Sequence, residues 1–275
     1  MIGTRLHIAT GLVAGALVFG PMPPLAAQDK IAVDGSTGTA PLVAALGKAF
    51  AAKSGVAVEI GKGLGTKARF EALAKGQIDI AMASHGLKAD EVARMGMTVH
   101  RIAMTPVVFA VHRSAAVAGL SDAQICAIYE GKTRNWREVG GPDLAVVPMT
   151  RPDSEVDAEV VRDGIACLKS LKMPESVKVM PRAGDMAKAL AETEGAIGMT
   201  SATVVEQSGG KLTALALNGA EPSEANIASG RYKLTRDAFL VTRSAPPPPV
   251  KAFIDFAKSA EGAAVIRANG ALPVK

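Results

Sequence analysis

The chain has 275 residues, with 31 Lys and Arg against 26 Asp and Glu, a net charge of +5 and two cysteines. Aromatic residues make up only 4% and the basic residues are dispersed, so the stacked-base platforms and clustered cations of a nucleic-acid binder are not indicated. Cys126 and Cys167 lack a CxxC spacing or a neighbouring histidine, which argues against zinc, and no cofactor is expected.

At the start of the chain, Arg5 precedes an apolar run from Ile8 to Phe19, a Gly-Pro-rich break follows, and Leu25-Ala26-Ala27 supplies small residues for cleavage before Gln28. This is the layout of a secretory signal peptide. The run is shorter than the roughly 20 residues a bilayer crossing needs. Residues 1–27 are therefore expected to be removed, leaving a soluble, periplasmic protein at +4, since that segment carries one basic residue and no acidic one. Two thiols in an oxidising compartment are expected to pair, Cys126 with Cys167.

The remainder, roughly 250 residues, is enough for two domains. Strands and helices alternate. Ile31 to Val33 reads as a strand, Leu42 to Lys53 as a helix, Val56 to Ile60 as a strand, Thr66 to Lys75 as a helix and Ile78 to Met82 as a strand. This is βαβαβ, the pattern of a parallel sheet with covering helices. A helix at Ala89 to Met95 leads into a long extended stretch, Val99 to His112. Ser121 is placed to cap a helix over Ala123 to Tyr129.

A second unit repeats the alternation. Leu144 to Met149 reads as a strand, Glu155 to Leu171 as one helix, Val177 to Met180 as a strand, Asp185 to Glu194 as a helix and Ala196 to Met199 as a strand. Lys211 to Leu217 is expected as a further strand. Tyr232 to Thr242 is again extended, Pro246 to Pro249 break it, and helices close the chain at Val250 to Lys258 and Ala260 to Asn269. The fold expected is α/β with two lobes, each a mixed, mostly parallel sheet flanked by helices, joined by two crossing strands. The first lobe would take residues 28–109, the second 110–235, and residues 236–275 would return to the first.

Four stretches carry the chemistry. Asp34-Gly35-Ser36-Thr37-Gly38-Thr39 joins a strand to a helix start, and presents backbone N–H groups and two hydroxyls to one point, the means of holding an oxyanion. Gly61-Lys62-Gly63-Leu64-Gly65 lets backbone approach a ligand closely, with Lys62 adding charge, and lacks the order of a Walker loop. Ser84 and His85 follow a buried strand, where ligands sit in open α/β sheets. In Arg151-Pro152-Asp153-Ser154-Glu155, the guanidinium could fork onto two oxygens, with Asp153 orienting it or accepting a proton from the ligand. Ser154 also reads as a helix N-cap, with Asp157 completing a capping-box-like start.

Taken together, GSTG-AP, GKGLG, QIDIAMAS, LSDAQICAIYEGKTRNWREVGG, RPDS, GAIGMTS and PSEANIASGRYKLTRDAFLVT resemble the phosphate-binding periplasmic proteins of ABC importers, over most of the chain. The resemblance implies a class II periplasmic binding protein that closes on phosphate and passes it to an ABC permease in the inner membrane. It implies ligand contacts at Ser36 and Thr37, and at Arg151 and Ser154, which match an RxxSGT-like motif. Here Glu155 and Val156 stand where that motif has Gly-Thr, Lys62 replaces a usual serine, and Ala83-Ser84-His85 replaces an SSR-type ending. Like charges about 4 Å apart repel by roughly 4 kcal/mol at an effective dielectric near 20. Glu155 is therefore expected to point away, to be offset by Lys62 or His85, or to mark a different ligand.

The resulting expectation is a monomeric, non-enzymatic binder of phosphate or a related small oxyanion, through Ser36, Thr37, Gly38, Lys62, Gly63, Ser84, His85, Arg151, Asp153, Ser154 and Glu155. A binder of another anionic or zwitterionic solute is the alternative within that class. A secreted hydrolase on the same scaffold would need a nucleophile and a base, and the sequence offers few histidines and no GxSxG elbow.

Overall fold

A computed structural model describes residues 30–84 and 87–274, so the expected signal peptide and His85 lie outside the described residues. The first βαβαβ unit forms as its pattern requires. Strand β1 (Lys30–Gly35) leads to α1 (Ala40–Ser54), β2 (Ala57–Ile60), α2 (Thr66–Ala74) and β3 (Ile80–Ala83). Pro41 starts α1 in the first turn, where the missing N–H costs no hydrogen bond, and Leu42, Val43, Leu46 and Phe50 form its buried face. β1 pairs in parallel with both β2 and β3.

Helix α3 (Ala89–Arg94) precedes β4 (Met97–His112), a 16-residue strand on which the architecture turns. Then come β5 (Gly119–Leu120), α4 (Asp122–Tyr129), β6 (Val147–Thr150), α5 (Val156–Gly164), β7 (Lys178–Val179), α6 (Ala183–Glu192) and β8 (Ala196–Ser201). The chain continues through α7 (Ala202–Glu206), β9 (Leu212–Ala214), β10 (Ala216–Leu217), α8 (Glu224–Ala228), β11 (Thr235–Arg243), α9 (Pro248–Lys258), α10 (Ala260–Ala268) and β12 (Leu272–Pro273).

The main sheet runs β2-β1-β3-β11-β4-β8-β6-β7, with β9 and β12 also on β4. The first part of β4, Met97 to Pro106, pairs antiparallel with β11, and the second, from Val107, pairs antiparallel with β8 and β9. The β1-β2-β3 and β6-β7-β8 groups are parallel, as βαβ connections demand. This is the two-lobed mixed α/β architecture, with β4 and β11 in the middle. One apolar cluster gathers Phe109, Tyr129, Trp136, Met149 and Leu234; another gathers Ile31, Leu46, Ile102, Leu240 and Phe253. In the second, Phe50 meets Phe253 and Phe256 with ring centroids 5.3 and 5.6 Å apart, fixing α1 against α9.

Three local expectations need correction. The helix expected over Glu155 to Leu171 ends at Gly164, because Ile165 turns to extended backbone, and only a short 3-10 turn, Ala166–Leu168, follows. Lys211 to Leu217 divides into β9 on β4 and β10, which pairs with β5 in a separate two-stranded sheet. Ser154 does not cap α5: Glu155 holds that position, without a side-chain hydrogen bond. The expected cap at Ser121 does form, as a reciprocal box with Gln124.

Cys126, on α4, and Cys167, in the turn after α5, form a disulfide with Cα atoms 6.1 Å apart, closing a sequence separation of 41 residues. A Cys126→Ala/Cys167→Ala variant is expected to lose about 4 kcal/mol of unfolding free energy, the chain-entropy value for such a loop. Urea titration of the two proteins under oxidising conditions measures the difference; equal midpoints and slopes would contradict it.

Candidate functional site

The cleft begins at the end of β1. Asp34 accepts hydrogen bonds from Gly35 N (2.6 Å) and Gly63 N (2.9 Å), so one carboxylate pins the first turn to the glycine-rich loop. Both glycines are required there. Gly35 has φ +137° and a Cβ would run into the Met82 carbonyl, while Gly63 has φ +105° and a Cβ would strike the Thr37 methyl. Close backbone approach leaves Ser36 at the end of β3, where its hydroxyl lies 2.9 Å from that of Ser84.

These residues form one wall of a cavity of about 420 Å³, lined by Gly35, Ser36, Thr37, Ser84 and the loop from Gly63 to Thr66. The facing wall is Ser154, Glu155 and Val156 at the start of α5, and Pro181 and Arg182 at the start of α6. Three helices, α2, α5 and α6, thus begin at the cavity, and none has a side-chain cap on its first N–H groups. Serines cap α4, α7, α8 and α10, whereas α1, α3 and α9 also lack a side-chain cap, so it is the convergence of three open ends on one cavity that sets the site apart. Uncapped N-termini leave donors and positive dipole ends for a bound anion.

The buried charged residues among the described residues are Arg69, Arg151, Asp157 and Arg236, and all stand in or just behind these walls. Arg236, on β11, donates Nη2 to the Gly38 carbonyl at 2.7 Å and places Nε 2.8 Å from Asp157 Oδ1. It therefore ties the first turn to the first turn of α5. Arg151, 2% exposed, donates Nη1 to the Met180 carbonyl and Nη2 to Glu155 Oε2, each at 2.7 Å. Glu155 is offset by Arg151, while Lys62 lines a neighbouring groove and His85 lies outside the described residues.

Arg69, on α2, lines the cavity and is 7% exposed. Its Nε is buried with no hydrogen-bond partner, and its guanidinium carbon sits 5.3 Å from the Phe70 ring centroid. Burial without a counter-ion pulls its pKa below the ordinary arginine value. The sequence reading does not single it out. The available signal is that the first turn of α2 contains Lys67 and no acidic residue, against the dipole preference for negative charge at that end.

Of the residues expected from sequence, Ser36, Thr37, Gly63, Ser84, Ser154 and Glu155 come together on the cavity. Gly38 lies behind it, its carbonyl taken by Arg236, and Arg151 is sealed behind Glu155. Lys62 lines a neighbouring groove with Thr37, Arg182 and Asp185. Asp153 does not orient Arg151: it is exposed and pairs with Arg162 at 2.8 Å.

A family model described as a PBP superfamily domain matches residues 23–261. The chain belongs to the PBP superfamily. A superfamily relative from Bacillus subtilis, "Phosphate-binding protein PstS", is 26% identical over 255 residues, covering 90% of this chain and 82% of that one. The fold is similar to that of a Clostridium perfringens protein described as a putative phosphate ABC transporter substrate-binding protein with bound phosphate. The TM-score is 0.71 at 28% identity, over 90% of this chain and 100% of the other. A Vibrio cholerae ABC-type phosphate transport receptor aligns with TM-score 0.58 at 25% identity, over 88% of this chain and 99% of that one.

Asp157→Asn is expected to cost about 3–5 kcal/mol of stability, because it leaves Arg236 buried with its charge uncompensated. Replacing both partners, as Arg236→Met/Asp157→Leu, is expected to cost less than Asp157→Asn alone. Chemical denaturation of the two variants tests the ordering, and a near-neutral Asp157→Asn would refute it.

Proposed function

We propose that this chain is the exported substrate-binding protein of an ABC importer, and that it holds phosphate, or a small oxyanion like it, between its lobes. The observation that carries the reading is the convergence of three uncapped helix N-termini with the hydroxyls of Ser36, Thr37, Ser84 and Ser154 on one cavity. Tetrahedral oxyanions need many donors arranged around a point, and N–H and O–H groups provide them without fixing a geometry that only one ion fits. The printed descriptions of the relatives from Bacillus subtilis and Clostridium perfringens, both concerned with phosphate, support the same ligand.

The ligand would touch both walls, so its binding would favour the arrangement in which the lobes are drawn together around β4 and β11. A permease could then distinguish loaded from empty protein by shape. No chemistry on the ligand is needed for this role. The pairing of Glu155 with Arg151 weakens the case for a zwitterionic ligand, since it removes the free carboxylate that would meet a positive group.

Calorimetric titration of residues 28–275 with phosphate, sulfate, molybdate, a phosphonate and amino acids tests the proposal. Phosphate is expected to bind with one site per chain and to raise the melting temperature, and p-nitrophenyl phosphate is expected to remain intact. A saturable response to an amino acid with none to phosphate would refute the oxyanion reading, and turnover of the ester would refute the non-enzymatic one.

A further inference from the structure

We propose that Arg69 is the residue that grips the anion's charge, and that Glu155 has withdrawn Arg151 from that task. The inference rests on the oxyanion reading of the cavity. An arginine that binds a ligand must present N–H groups to it. Two of Arg151's five N–H groups are spent, one of Nη1 on the Met180 carbonyl and one of Nη2 on Glu155; its Nε is buried without a partner, and the residue stands outside the cavity lining, so what it has left does not face the ligand. Its pairing with Glu155 also cancels the charge it would have offered.

Arg69 has the opposite character. It lines the cavity beside Gly65, Thr66, Ser84 and Leu87, its side chain is buried, and no described residue provides it with a hydrogen bond or an ion pair. A buried cation without a partner is costly, and an anion arriving in the cavity would offset that cost. Gly35 admits it, since a Cβ at that position would lie 3.1 Å from Arg69 Cδ. The stem of Arg69 thus passes close against the first turn, and the residue lines the cavity together with Ser36 and Ser84.

The test compares Arg69→Gln, Arg69→Lys and an Arg151→Gln/Glu155→Gln double variant by phosphate calorimetry and by melting with and without phosphate. Arg69→Gln is expected to weaken phosphate binding by about tenfold to a hundredfold, the range for one charge-assisted contact. It is also expected to melt no lower than the wild type without ligand, since it removes an unpartnered buried charge. Arg69→Lys should regain part of the affinity, and the double variant should lose several-fold less than Arg69→Gln. If Arg69→Gln keeps wild-type affinity while the double variant loses it, Arg151 is the gripping residue and the proposal is wrong. A lower melting temperature of ligand-free Arg69→Gln with affinity intact would make Arg69 structural and overturn it likewise. If the wild type itself binds no oxyanion, the reading of the cavity fails first, an outcome visible before any variant is made.

Discussion

Arg236 reaches from β11 to both sides of the cavity, and the relation of the two walls depends on it. One end of its guanidinium holds the Gly38 carbonyl in the first turn, and Nε faces Asp157 two residues inside the N-terminus of α5. Both side chains are nearly sealed from solvent, at 2% and 7% exposure, so the contact is of the kind whose halves cannot be removed singly without penalty. Because β11 pairs with β3 on one side and β4 on the other, the arginine projects from the structural midline. Any movement that parts α5 from the first turn must break one of its two contacts.

Around this link, charge is distributed sparingly. Arg151 and Glu155 neutralise each other, Asp157 is occupied by Arg236, and Arg69 alone of the buried charges is left without a described partner. Apart from Arg182 on the facing wall, much of the cavity's remaining polarity comes from backbone and hydroxyl dipoles, which carry no net charge to be compensated when the site is empty. Asp34 contributes indirectly: by bonding Gly35 and Gly63 it sets the spacing of two loops that would otherwise be free to separate.

Much of this was legible in the chain. Strand, turn and helix around Gly35 to Thr39, the glycine-rich loop and the cap at Ser121 follow from local rules, because a glycine that must adopt positive φ and a serine that must cap a helix are decided by near neighbours. The side-chain pairings in and behind the facing wall were not. Whether Glu155 opposes a ligand or answers Arg151 depends on a rotamer and on the carbonyl of Met180, which comes from another part of the chain. Asp153 looked like a companion to Arg151 by proximity in sequence, but Arg162, one helical turn and more further on, takes it. Arg69 lay inside an expected helix, where a basic residue reads as a solvated surface group until burial shows otherwise.

Trp136, the single tryptophan of the chain, is fully buried with its Nε1 donating to the Gly195 carbonyl at 2.9 Å, in the apolar cluster of Phe109 and Tyr129 and away from the cavity lining. Its emission should be nearly blind to what occupies the cleft. The two cysteines of the chain are bound to each other. A thiol introduced at the rim, on Lys62 or Arg182, would therefore be the sole reactive sulfur, and a dye attached there would convert an optically silent binder into a ligand-reporting sensor without interference from the native chromophores.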